Sequence, residues 1–145
     1  MAKPTQLDVR GPRFGAAVTT VVLAIAFLTA GTAVSTVLLV VQAAAFALGA
    51  LVGPHAQPYG LFFAKVIRPR LAPATKFEDA APPRFAQAVG LGFAVAALAG
   101  IFLNSVALTQ IAVGFALAAA FLNAAFSFCL GCEMYLLIRR FTSAS

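Results

Sequence analysis

The chain has 145 residues, of which 62% are hydrophobic and 10% charged, and its mean hydropathy is +0.98. A soluble fold of that make-up would leave large apolar patches in water, so the composition excludes an ordinary soluble domain and favours one membrane-embedded domain. The net charge of +6 comes with no nucleic-acid-binding module, and topology is sufficient to explain it.

The first 14 residues carry Lys3, Asp8, Arg10 and Arg13 among Pro4, Gly11 and Pro12. The apolar run after them has no small-residue cleavage site followed by a polar mature chain, so a cleaved signal peptide is not expected. A helix needs roughly 20 apolar residues to cross the hydrocarbon core. Residues 14–52 contain no ionisable group and are too long for one span, but Gly31-Thr32 interrupts them near the middle. The spacing predicts helices over 14–30 and 33–52.

After Gly53-Pro54-His55, the residues Tyr59, Phe62, Phe63, Val66 and Ile67 recur at helical spacing, with Lys65 and Arg68 near the polar side and Pro69 as a break. This reads as an amphipathic helix along the membrane interface, with Lys65 and Arg68 meeting anionic lipid. Residues 71–83 hold Pro73, Pro82 and Pro83 around Lys76, Glu78 and Asp79, and read as a loop. A second uncharged run, 85–130, is interrupted at Asn104-Ser105 and predicts helices over 85–103 and 106–128. The expected fold is therefore all-α, an integral membrane protein of four transmembrane helices in two hairpins, forming one domain over 1–145.

All ten basic residues lie before the first hairpin, between the hairpins, or after the second, the last being Arg139 and Arg140. The positive-inside rule then places the N-terminus, the central segment and the C-terminus in the cytoplasm. A shift of 71 residues sets Asp8-x-x-x-Pro12-Arg13-Phe14 on Asp79-x-x-x-Pro83-Arg84-Phe85, and sets Gly60 and Ile67-Arg68 on Gly131 and Ile138-Arg139. Two parallel repeats, 8–70 and 79–141, are expected, with residues 133–141 duplicating the interfacial helix. Pro12 and Pro83 suit a first helical turn, and Arg13 and Arg84 are placed to snorkel to phosphates, with an anionic substrate or lipid headgroup as the alternative.

Small residues recur every fourth position at Ala45, Gly49 and Gly53, at Gly92, Ala96 and Gly100, and at Ala112, Ala116, Ala120 and Ala124. Such faces let helix backbones approach, within one chain or in a homo-oligomer. Gln42, Gln110 and Asn123 are the deepest polar residues and suit interhelical hydrogen bonds. No ionisable side chain falls inside the spans, which disfavours a pump or ion-coupled transporter. The single His55 has no ligand-spaced partner, and no motif asks for a metal or cofactor.

Phe128-Cys129-Leu130-Gly131-Cys132-Glu133 is left as the one stretch with reactive chemistry. If a helix begins near Cys129, its N-terminus favours a thiolate there, with Cys132 as the resolving thiol. Gly131 would permit the break, and Glu133 either opposes the thiolate or accepts a proton. In a continuous helix the same cysteines would be inert packing residues.

The segments 8–14, 78–87 and 128–135, above all Phe128-Cys129-Leu130-Gly131-Cys132, resemble bacterial membrane proteins catalogued as domain of unknown function 4395, over nearly the whole chain. The resemblance implies a bacterial inner-membrane location and a genomic association with thioredoxin-like and rhodanese-type sulfurtransferase proteins. The reading that follows is a membrane component handling electrons or sulfur through Cys129 and Cys132. A non-enzymatic anchor that docks a partner through the basic central segment, and a small-solute carrier, are the alternatives.

Overall fold

The computed structural model describes residues 6–144, so Lys3 and Pro4 lie outside the described residues. A short strand β1 (Gln6–Asp8) leads into helix α1 (Arg10–Leu28), and α2 (Ala33–Ala47) returns and continues through a π-helical turn at Leu48–Val52. A 3-10 turn at Pro54–Ala56 precedes α3 (Pro58–Phe62), which runs on through a π turn at Phe63–Ile67 and a 3-10 turn at Arg68–Arg70. Strand β2 (Phe77–Asp79) then opens the second half: α4 (Ala81–Phe102), α5 (Val106–Phe126) and α6 (Leu130–Ala144). The fold is helical apart from the two strands, and four helical stretches, Arg10–Leu28, Ala33–Val52, Ala81–Phe102 and Val106–Phe126, are long and apolar enough to cross a membrane.

The helices begin earlier than the uncharged runs. Absence of charge marks the part of a helix suited to hydrocarbon, whereas the first turn can form in a polar setting if its N–H groups find acceptors. Asp8 Oδ1 accepts from the Arg10 N–H at 3.0 Å, and Asp79 Oδ1 accepts from the Ala81 N–H at 3.0 Å. Prolines in the first turn cost no hydrogen bond there.

Both hairpins turn where the sequence predicts. Gly31 has φ +89°, a left-handed conformation that glycine tolerates, and Asn104 takes φ +57°, a region asparagine visits more readily than most residues. Each is followed by a hydroxyl cap: Thr32 Oγ1 accepts from the Ser35 N–H at 3.5 Å, and Ser105 Oγ from the Leu108 N–H at 3.2 Å. The expected interfacial helix is shorter in its regular part, because Pro69 ends the winding through π and 3-10 turns.

Four extensive interfaces, α1–α2, α1–α5, α5–α4 and α4–α2, close a ring, so each hairpin's first helix packs on the other hairpin's second helix. At its centre Leu23, Ala26, Leu39, Ala97, Ala112, Val113 and Ala116 form the buried core. Ala45, Gly49, Gly53, Ala112 and Ala116 are buried as their spacing predicts. Gly92 is the exception: a Cβ there would meet nothing within 4 Å, while Gly90 and Gly100 make the close approaches, to Phe46 and Thr109. Spacing thus placed Ala96 and Gly100 correctly and missed at Gly92, because several faces of α4 carry small residues.

The strands pair antiparallel, Gln6 opposite Asp79, Leu7 opposite Glu78 and Asp8 opposite Phe77. Leu7 and Glu78 are 71 positions apart, so the sequence offset and the centre of the ribbon coincide. The ribbon was invisible to periodicity, since three-residue strands hold too few alternations to register. It holds the starts of α1 and α4, which sit diagonally in the ring, at the same end of the bundle, and with them the ends of α2 and α5.

Candidate functional site: the turn at Cys129 and Cys132

Helix α5 stops at Phe126 because Ser127 adopts a left-handed conformation, φ +55°. The Ser127 N–H donates to the Asn123 carbonyl at 3.1 Å and the Phe128 N–H to the Leu122 carbonyl at 3.2 Å, which satisfies the last turn. The break thus falls two to four residues before Gly131, where the sequence had placed it. Gly131 instead lies inside the first turn of α6 and lets that turn rest on α4: a Cβ there would stand 2.6 Å from both Cα and Cβ of Ala86.

Cys129 precedes α6, and its Sγ accepts the Cys132 N–H at 3.1 Å, in the manner of a helix N-cap. The Glu133 N–H closes the first turn on the Cys129 carbonyl at 3.0 Å. The two sulfurs are in bonding contact as a disulfide, with Cα atoms 5.1 Å apart, inside the range such a bond requires. Both cysteines are half-buried, and Glu133 is exposed beside them. Of the two geometries left open by the sequence, the broken helix is the one formed. It can carry thiol–disulfide exchange, since a helix N-terminus favours negative charge on the first sulfur. Among the described residues no group of three His, Cys, Asp or Glu could hold a metal ion, and His55 packs its ring over Gly53.

The helix is docked by rings. Phe85 meets Tyr135 at 5.8 Å between centroids, and Arg139 Nη1 donates to the Tyr135 hydroxyl at 3.0 Å. In the first half Phe14, offset from Phe85 by 71, meets Phe62 and Phe63 at 6.0 and 5.7 Å.

The two arginines singled out by the repeat reach across between halves. Arg13 Nε donates to the Ala124 carbonyl at 3.1 Å, at the end of α5. Arg84 Nε and Nη2 donate to the Ala50 and Leu51 carbonyls at 2.7 and 2.9 Å, at the end of α2. A cation at a helix C-terminus offsets the partial negative charge of its unpaired carbonyls. This role was absent from the sequence reading because it joins residues more than 30 positions apart in one case and 111 in the other. Both arginines remain exposed, as do Lys65 and Arg68.

On the ribbon, the side-chain hydrogen bond and salt bridge from Arg10, 2.9 Å at the closest, hold the Asp8 carboxyl below its usual range, with further help from the charge of Arg68. Burial pushes Glu78 up. A separate buried string runs from Tyr59, whose hydroxyl donates to Gln42 Oε1 at 2.8 Å, through Gln42 Nε2 to Thr19 Oγ1 at 3.4 Å. Gln110 Nε2 donates to the Phe27 carbonyl at 3.3 Å, so both glutamines bond between helices.

The class this fold defines is a small helical protein in which four helical stretches have the length and apolarity of membrane spans. The chain belongs to the family described as Domain of unknown function (DUF4395), which it matches over residues 7–140. Comparison with curated proteins and with solved structures finds no match.

Proposed function

We propose that this protein is a four-span component of the bacterial inner membrane that exchanges electrons or sulfur with thiol proteins through Cys129 and Cys132. The observation that carries this reading is the Cys129 Sγ at the N-cap of α6, within bonding contact of Cys132 and hydrogen-bonded to its N–H. A partner thiolate attacks Cys129 Sγ, the disulfide breaks, and Cys132 leaves as a thiolate. The partner's second thiolate then attacks its own sulfur in the mixed disulfide and releases Cys129. Two electrons pass to this protein, which ends as the dithiol, and the partner ends as the disulfide. The released Cys129 thiolate is met by the Cys132 N–H.

The distribution of basic residues supports cytoplasmic termini, which puts this turn at the cytoplasmic face. There α3 and α6 lie along the interface, a placement supported by exposed Phe62 and Val66 on the first and Met134, Leu137, Ile138 and Phe141 on the second. The shared 71-residue offset of the Asp caps and of the arginine ties supports descent of the halves from one duplicated hairpin. The family resemblance points to a thioredoxin-like or sulfurtransferase partner.

The test is differential alkylation of Cys129 and Cys132 in intact membranes poised over a range of dithiol potentials. A reversible two-electron transition, lost in Cys129→Ser and Cys132→Ser, is expected. Thiols that stay reduced and unreactive at every potential would end the proposal. The second reading, an anchor that docks a partner, is favoured by the exposed cluster Lys65, Arg68 and Arg70. Charge reversal at those three would then abolish partner recovery from membranes while leaving the cysteine titration intact.

A further inference from the structure

We infer that Arg13, contributed by the first half, is a positioning residue for the thiol site of the second half. The inference rests on the exchange function proposed for Cys129 and Cys132.

The turn between α5 and α6 is a demanding piece of backbone. Ser127 is left-handed without being glycine, a conformation that side chains disfavour and that persists only where its surroundings hold it. Downstream, the turn is held by the contact of Gly131 with Ala86 of α4. Upstream, the last turn of α5 is held by Arg13 on the Ala124 carbonyl, five residues before Cys129.

Charge gives the tie a second role. A thiolate on Cys129 stands between two helix ends of opposite sign: the N-terminus of α6, which favours it, and the C-terminus of α5, which opposes it. The Arg13 cation sits on the second of these and offsets it. The other charged groups near the turn do not substitute. From α4, Arg84 is turned to the Ala50 and Leu51 carbonyls of α2; on α6, Glu133 is an acid and Arg139 is bonded to Tyr135.

The molecule also contains its own control. Arg84 makes the corresponding tie 71 positions later, but the helix end it caps leads into Gly53, Pro54 and a helix capped by Gln57, with no thiol to respond. Removing either arginine takes a cation from a helix C-terminus, with one hydrogen bond lost for Arg13 and two for Arg84. Only Arg13 should change thiol chemistry.

The experiment is the rate of iodoacetamide alkylation of the reduced protein against pH, in membranes, for wild type, Arg13→Gln, Arg13→Lys and Arg84→Gln. At neutral pH, Arg13→Gln is expected to slow alkylation of Cys129 about three- to tenfold, the loss of thiolate that half to one unit on the pH axis brings. Arg13→Lys restores most of the rate, and Arg84→Gln leaves the profile in place. Where Arg13→Gln is not recovered from membranes, Arg13→His supplies the comparison, as a cation at pH 6 during preparation and neutral at pH 8 during measurement. A profile unmoved by loss of the Arg13 charge, or moved equally by Arg84→Gln, overturns the inference. Absence of any reversible dithiol in wild type would instead overturn the function on which it rests.

Discussion

The two halves solve one problem in two ways. Each must end a spanning helix, turn, and start a short helix across the end of the bundle. In the first half the new helix is capped by an amide, Gln57 Oε1 accepting from the Gly60 N–H at 3.0 Å, and is fastened by Tyr59 to Gln42. In the second half the cap is a sulfur, Cys129 Sγ on the Cys132 N–H at 3.1 Å, and the fastening is the bond to Cys132. The positions 71 beyond Gln42 and Tyr59 are Val113 and Leu130, which can make no such hydrogen bond. One half therefore carries a fixed polar lock, and the other a covalent one that chemistry can open. The turn at Cys129 is thus a variation on a structural device present elsewhere in the same chain.

The sharpest way to break the comparison is at its glycines. Gly131→Ala forces a Cβ against the α4 backbone at Ala86 and is expected to destabilise the docking of α6 by about 1–3 kcal/mol, read as lowered thermal stability in detergent and faster proteolysis after Phe126. Gly60→Ala meets only the Pro54 carbonyl at 3.3 Å and gains helix propensity, so its effect should stay within about 0.5 kcal/mol of zero. Equal effects would mean that the two short helices are docked alike.

The next largest effect concerns the polar lock. Tyr59→Phe leaves buried Gln42 Oε1 without its donor, at a cost of about 1–2 kcal/mol, and adding Gln42→Leu should recover part of it. Thermal melts of the single and double variants measure the coupling. In the second half, Cys129→Ala in reduced protein removes the cap at about 1 kcal/mol, whereas Cys129→Ser keeps an acceptor and most of the stability.

The smallest effect separates the strands by pH. Glu78 has its carboxyl raised by burial, so its favourable contribution is whole below the ordinary value of 4.5 and is lost as pH rises through the raised value. Glu78→Gln should therefore stabilise the protein near pH 7 by a few tenths of a kcal/mol, solvent screening of a half-exposed group keeping the figure low, and the gain should vanish near pH 4. Asp8 works in the opposite sense. Its contribution is present above 3.8 and fades as pH falls through its lowered value.

Much of this was legible in the chain. Uncharged runs gave four helices long and apolar enough to cross a membrane, and Gly31-Thr32 and Asn104-Ser105 gave the hairpin tips, because both signals are local. The thiol pair was legible for the same reason, while the start of a helix beside it was one of two geometries the sequence left open. What was hidden depends on distance along the sequence: the β1–β2 pairing, the cross-half arginine ties, and the seat of Gly131 on Ala86. The break at Ser127 escaped because the residue is not the usual one for a left-handed turn, and Gly92 was misassigned because α4 also carries Gly90, the position that meets Phe46.

The arginine ties also set an order of events during synthesis. When Arg84 emerges, its acceptors at Ala50 and Leu51 are already made, but Arg13 must wait until Ala124 has been translated, 111 residues later. Helix α1 is thus left without its partner at that end until α5, the last of the four long apolar helices, has been made. A chain stopped before Ala124 lacks the acceptor for Arg13, so this tie reports that translation has reached the last turn of α5.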